Sequence, residues 1–359
     1  MIRNFVLKFE FLCYNVKREE IMQIFLNILY LVIGLALLIF GADFFVSGAS
    51  SLAKKMKIPT MIIGLTIVAI GTSLPELVVS VISAIKGNAD ISIGNVIGSN
   101  MANMLLIVGV VACIKPIDVK KTTRHFDLPF MALMTLLLLI FSADSVLDGR
   151  ENVLARSECI VFILLLIYYM LKQIINVKRQ QKAPYMQSPE ENGVEFSAEQ
   201  PKDEIKILPG WRIALYTIFG LAGVVGGGEL VSMSSKFLAL AAGMSDALVG
   251  LTIVALGTSL PELVTSIVAV RKGEHELALG NVLGSNIMNI ILILGVVGTI
   301  SSIAISAVVL TDLLILTCMT IIFLVMCYSK KRFSRIEGVL SLLLYVSYIA
   351  FAIVRNYAF

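Results

Sequence analysis

Twice in this chain a Leu-Pro-Glu step falls inside a long apolar run, and the two occurrences lie 186 residues apart. Residues 64–83 read GLTIVAIGTSLPELVVSVIS, and 250–269 read GLTIVALGTSLPELVTSIVA. Further on, 94–111 read GNVIGSNMANMLLIVGVV and 280–297 read GNVLGSNIMNIILILGVV. From 64 to 111, 29 of 48 positions are identical to their partners. The alignment runs without a gap back to Asp43, which falls on Glu229. Any fold for this chain must therefore shelter the same polar insert twice.

The surroundings of the insert set the solvent. The chain is 58% hydrophobic and 15% charged, against about 45–50% and about 25% in a soluble domain. That excludes a cytosolic enzyme, a nucleic-acid binder and a disordered chain, and makes the lipid bilayer the partner of most side chains. Ten stretches have the roughly 20 apolar residues needed to cross a membrane: 24–46, 60–85, 91–113, 127–143, 153–175, 212–236, 246–270, 277–299, 304–327 and 336–354. The expected fold is an all-α multi-pass membrane protein of ten transmembrane helices, five to each repeat. Five is odd, so the second copy enters from the opposite face, and the two repeats are inverted about an axis in the membrane plane. Many secondary transporters are built this way, with their sites near the midplane.

The expected domains are a first repeat over 22–175, a polar linker over 176–210 and a second repeat over 211–359. The linker carries Pro184, Pro189, Glu190, Glu191, Pro201, Asp203 and Glu204, a loop composition. Residues 1–21 read as neither signal peptide nor span. Met22 opens directly onto the first helix, so the natural start is expected there, with 1–21 a tail.

The net charge of +4 says little until it is sorted by side. Twenty of the 29 Lys and Arg fall on one side, in 54–57, 115–124, 172–212, 271–272 and 330–335. The positive-inside rule makes that side cytoplasmic. The linker is then cytoplasmic, both termini are outside, and the membrane is the plasma (inner) membrane of a bacterium, given the short linker and absent targeting features. The five cysteines form no CxxC pair and read as apolar-facing thiols. His125 and His275 fall in polar, loop-like stretches. No nucleophile–base pair or His-metal cluster suggests an enzyme, and no cofactor or obligate protein partner is implied.

The chemistry sits in Gly71-Thr72-Ser73-Leu74-Pro75-Glu76 and Gly257-Thr258-Ser259-Leu260-Pro261-Glu262. Intramembrane carboxylates are costly and face a bundle interior or cavity. Pro75 cannot donate to the Gly71 carbonyl, nor Pro261 to Gly257, so each helix should break there. Thr72 and Glu76 share a face, bordered by Ala69 and Ser73. Asn95, Ser99 and Asn103 form one polar helical face, and Asn281, Ser285 and Asn289 form another. Gly94 with Gly98, and Gly280 with Gly284, allow close backbone approach. Converged, these groups give an all-oxygen, doubly anionic cage suited to a hard cation. Ca²⁺ takes 6–8 oxygens; two Na⁺ or two H⁺ would balance the same two charges.

At these residues the chain resembles the cation/calcium exchanger superfamily, and within it the prokaryotic sodium/calcium antiporters. The resemblance implies Na⁺/Ca²⁺ antiport by alternating access. It implies a calcium site of Glu76 and Glu262 with the carbonyls of Thr72 and Thr258. It implies sodium sites using Ala69, Ser73, Ser99, Asn103, Ala255, Ser259, Ser285 and Asn289. The first and sixth helices would slide across the core. Relatives often carry Asp at one of the positions of Asn103 and Asn289; here both are Asn, which leaves an H⁺/Ca²⁺ (or other divalent cation) exchanger open. Asp43 and Glu229 lie near the ends of the sliding helices, as guides for cations or as solvated groups. Asp127 and Asp312 are expected to be structural.

Overall fold

The computed structural model describes residues 2–358 apart from 88, 148, 150, 183–207, 244–254 and 330–331. Among the described residues, eight helices are long and apolar enough to span: α1 (Ile21–Met56), α4 (Ile91–Ile114), α5 (Thr123–Phe141), α6 (Arg156–Lys178), α7 (Gly210–Ala241), α10 (His275–Ile300), α11 (Ala307–Tyr328) and α12 (Arg335–Arg355). A ninth span is a pair, α2 (Thr60–Thr72) and α3 (Leu74–Ile85), bent by 44°. The tenth expected span, 246–270, lies partly outside the described residues; its later part forms α8 (Ala255–Thr258) and α9 (Leu260–Arg271).

Several expectations shift at their edges. The helix containing α1 runs from Ile2 to Met56, so it begins well before the span itself. The helix of α6 extends to Lys182, into the expected linker, because the polar sequence after 175 is still helix-forming. Linker residues 183–207 lie outside the described residues. His125 lies in the first turns of α5 and His275 opens α10, so neither is in a loop.

Burial separates centre from periphery. In α10, 78% of the most apolar window is buried, and in α4 72%, against 17% in α1 and in α6. The third expected helix of each half thus lies in the core. Close approach depends on glycine. A Cβ at Gly64 would lie 3.0 Å from Gly280 Cα, and one at Gly284 2.7 Å from the Leu65 carbonyl. The small face of α10 therefore clasps α2 of the other half. The matching partners of Gly94 and Gly98 would fall in 250–255, of which 250–254 lie outside the described residues.

Two short antiparallel ladders close the ends. β1 (Ile117–Asp118) pairs with β4 (Arg332–Phe333), and β2 (Val153–Leu154) pairs with β3 (Ile303–Ala304). The 186-residue offset carries β1 onto β3. The 22-residue α11 runs from beside β3 to beside β4, so the ladders cap opposite ends about 33 Å apart. Near the β1·β4 end, Lys120 pairs with Glu276, Arg332 with Asp118 at 3.4 Å, and the Tyr328 hydroxyl donates to the Arg124 carbonyl. At the other end Arg156 donates to the Ile300 carbonyl at 3.2 Å.

The fourth helix of each half is tied to the fifth. Gln173 donates to Asp127 at 3.1 Å. Arg355 grips Asp312 with two bonds of 2.8 and 2.9 Å. Both aspartates act structurally, as their positions suggested.

α1 and α7 lie against each other along much of their length through the glycines of the expected sliding helices. A Cβ at Gly220 would come within 2.4 Å of the Phe45 backbone nitrogen, and one at Gly41 within 2.6 Å of that of Val224. At Gly226 a Cβ meets nothing within 4 Å. Gly220→Ala should cost about 1–3 kcal/mol through forced separation of the helices. It should lower the melting temperature of the purified protein in detergent, whereas Gly226→Ala should leave it within error of the parent.

Candidate functional site

The break predicted from proline is present in both copies, with the same backbone. Ser73 sits at φ −86°, ψ 7°, and Ser259 at φ −90°, ψ 4°. Each serine precedes a new helix whose second residue is the proline and whose third is the glutamate. Proline is at home in a first turn, where its missing N–H would have had no partner. The glutamates therefore stand at the positive ends of α3 and α9, where the helix dipole favours negative charge.

The two carboxyls are brought together. Both are buried at 1% exposure, and Glu76 lies within electrostatic reach of Glu262. Ser73, from the first copy, donates to Glu262 Oε1 of the second at 3.0 Å. Ser285 donates to the same oxygen at 3.5 Å. Thr72 reaches across in the same way, its hydroxyl donating to Asn281 Oδ1 at 3.1 Å. Neither glutamate points at acyl chains.

The flanking candidates are mostly buried. Ala69, Ser99, Asn103, Ser259, Ser285 and Asn289 are all buried. Thr258 is half-buried. Ala255 opens α8, but its side chain lies outside the described residues. Seven buried oxygens of the candidate set have no hydrogen-bond partner among the described residues: Glu76 Oε2, Ser99 Oγ, Asn103 Oδ1, Thr258 Oγ1, Ser259 Oγ, Glu262 Oε2 and Asn289 Oδ1. An unpaired buried polar group costs about 1–3 kcal/mol. A concentration of them marks a place built for something other than its own side chains.

Asn289 shows how its oxygen is left free. Its amide nitrogen donates to Asn100 Oδ1 at 3.1 Å, which fixes the amide and leaves Oδ1 unpaired. Asn289 begins a π-helical stretch, Asn289–Leu294, and Asn103 lies in the equivalent one, Ala102–Ile107. Wide turns of this kind recur at functional sites.

Two of the expected polar faces divide their work. Asn95 donates to Ser80 at 3.5 Å, and its counterpart Asn281 donates to Ser266 at 3.1 Å and to the Glu262 carbonyl at 3.4 Å. These amides clamp each half-helix to its neighbour rather than adding free oxygen. The sequence reading passed over Asn100 and Asn286, counterparts in the repeated GSN. Asn100 donates to the Asn286 carbonyl at 3.4 Å, where α4 and α10 cross. Their place in a triplet identical in both copies was the available signal.

Among the described residues no group of three or more His, Cys, Asp or Glu is placed to hold a metal ion. A cation here would meet two carboxylates and neutral oxygens only, a hard-ion environment. Away from the glutamates, a cavity of about 380 Å³ opens between α2, α5, α6 and α10, lined in part by Lys120, His125, Lys172 and Glu276.

Comparison with known proteins accords with this arrangement. The family model described as "Sodium/calcium exchanger protein" matches residues 26–175 and 212–354. The putative antiporter CaxA of Alkalimonas amylolytica is 38% identical over 325 residues, covering 89% of this chain and 96% of that protein. The sodium/calcium exchanger MaX1 of Methanosarcina acetivorans is 33% identical over 348 residues, covering 91% and 98%. A structure of the sodium-calcium exchanger NCX_Mj superposes with a TM-score of 0.75 at 30% identity, covering 91% of this chain and 98% of the other. With an all-helical membrane fold, a repeated carboxylate motif and matches across both halves, this chain belongs to the sodium/calcium exchanger protein family.

Proposed function

We propose that the protein exchanges Na⁺ for Ca²⁺ across the membrane by alternating access. The ions would be held near the midplane between two inverted five-helix repeats, 22–175 and 211–359. The observation that carries this reading is the hydroxyl of Ser73, from one copy of the motif, bonded to the buried carboxyl of Glu262 from the other. One shared site built from both copies is what a single transported load requires.

Inversion of the repeats is supported by the ladders: β1 and β3 are counterparts in sequence, yet they sit at opposite ends of α11. The calcium ligands are assigned to Glu76, Glu262 and the carbonyls of Thr72 and Thr258. The sodium ligands are assigned to Ala69, Ser73, Ser99, Asn103, Ala255, Ser259, Ser285 and Asn289. Two carboxylates neutralise one Ca²⁺ or two monovalent ions, so the site accepts either load and repels neither. Emptied, it would leave two like charges in a medium of low dielectric, which disfavours transit without cargo. Sodium as the counter-ion is supported by the names of the relatives MaX1 and NCX_Mj. The proposed orientation puts the β1·β4 end in the cytoplasm, and the basic residues Lys54, Lys120 and Arg332 near that end support it.

Three outcomes follow for the purified protein in vesicles. Ca²⁺ uptake should follow an imposed Na⁺ gradient at constant pH; uptake that follows only a pH gradient would reassign the counter-ion to H⁺. Glu76→Gln and Glu262→Gln should each lower exchange by about 100-fold or more, the scale of removing one member of a buried charge set, with membrane expression unchanged. Near-parental flux in either would remove the shared site. Asn289→Asp replaces the donor to Asn100 by a third carboxyl beside two others. That carboxyl protonates readily beside like charges, so exchange in this variant should fall more steeply than in the parent as pH is lowered. An unchanged pH profile would make Asn289 a packing residue.

A further inference from the structure

The two halves repeat their charges but not their contacts. On α1, Asp43 pairs with Lys272, just past the end of α9, at 2.8 Å. The same ammonium donates to the Asp43 carbonyl at 2.7 Å and to Ser47 Oγ at 2.6 Å. Two residues on, Glu274 accepts from the Ser50 hydroxyl and faces Lys54 at 3.5 Å. The 186-residue offset carries Asp43 onto Glu229 and Lys272 onto Lys86. The second half therefore also has a carboxylate on α7 and a lysine just past α3. Yet Glu229 and Lys86 are both exposed, and neither has an ion-pair partner among the described residues. The packing agrees: α1 lies closely along α9, while its counterpart α7 meets α3 at only a few positions.

We propose that Asp43–Lys272 and Glu229–Lys86 are the two alternative closures of one latch on the α1–α7 pair. The first is made in the state seen here and the second in the opposite-facing state. This rests on the alternating-access reading above. In inverted repeats, passage between the two states exchanges the environments of counterpart residues. A displacement of α1 and α7 together that opens the α1–α9 contact then closes the α7–α3 contact and brings Glu229 to Lys86. The two closures are unequal. Ser50, Lys54 and Glu274 have Lys236, Leu240 and Asn88 as counterparts, so the second clasp through Glu274 exists on one side only. The state with α1 on α9 is the more firmly held.

The test is charge exchange at the open pair, in the full chain in vesicles. Glu229→Lys and Lys86→Glu should each slow Na⁺-driven Ca²⁺ uptake about two- to fivefold, the range of a partly exposed ion pair. The combined variant should return to the parental rate. Lys86→Gln, the milder change, should slow uptake in the same direction. Equilibrium Ca²⁺ binding to the detergent-solubilised variants should match the parent, because the ion site is untouched. Single reversals at the parental rate, or a combined variant no faster than the slower single, would overturn the latch. A parent chain without Na⁺-driven uptake would overturn the exchange reading instead. The latch has a second readout that needs no transport. In Lys86→Cys with Glu229→Cys, a short bifunctional thiol reagent should join the two fragments left by proteolysis within 183–207, above the level in the parent. If no ion condition yields that cross-link, positions 86 and 229 never meet and the latch fails.

Discussion

Two carboxylates that cannot reach water govern this molecule. Each is anchored by the same local device: a proline in the first turn ends one helix and starts another, so the glutamate that follows meets the positive end of the new helix. One such device would be a costly defect in a membrane span. Two of them, facing each other across the chain's internal repeat, share their neighbours. Ser73 belongs to one copy and serves the glutamate of the other. Thr72 does the same for Asn281. The second copy's polar insert is thus completed in part by the first.

The core helices are shaped around that need. α4 and α10 are mostly buried although the chain lives in lipid, and glycines on α10 let it touch the backbone of α2 directly. The backbone contact leaves polar side chains free to turn inward. Asn100 and Asn286 occupy the crossing of α4 and α10, and Asn289 is oriented by Asn100. Amide nitrogens are used up on structural bonds, while amide oxygens are left over. The π-helical turns beginning at Ala102 and Asn289 shift the following residues around the axis. Oxygen-rich and donor-poor is the chemical character that results, and it suits cations and nothing else.

Much of this was legible in the sequence because the relevant physics is local or periodic. Span lengths follow from hydropathy, and the helix break follows from proline. The pairing of the two motifs follows from their repetition in a medium that penalises lone charges. What escaped was set by contacts between distant segments. The crossing amides Asn100 and Asn286 look like any other polar pair until two helices are laid across each other. Asn95 and Asn281 share a helical face with Ser99 and Ser285, yet their neighbours Ser80 and Ser266 recruit them as clamps. The β1·β4 and β2·β3 ladders join segments of two residues each, too short for any periodicity to show. The helical character of 176–182 was hidden because a polar helix end and a polar linker have the same composition.

The repeat also separates what the sequence fixes from what a conformation chooses. Where counterpart residues are identical, as at Ser73 and Ser259, a difference in their contacts is not written in the residue type. Ser73 is bonded to Glu262, whereas Ser259 has no partner among the described residues. α1 lies on α9 while α7 barely meets α3. These asymmetries run in one direction: in each, the second copy's glutamate helix holds the contact and the first copy's does not. Two halves of like sequence with one-sided contacts are what the proposed alternating access asks of one of its states. Glu274 with Lys54 and Ser50, which have no like counterparts in the other half, hold one of these one-sided contacts.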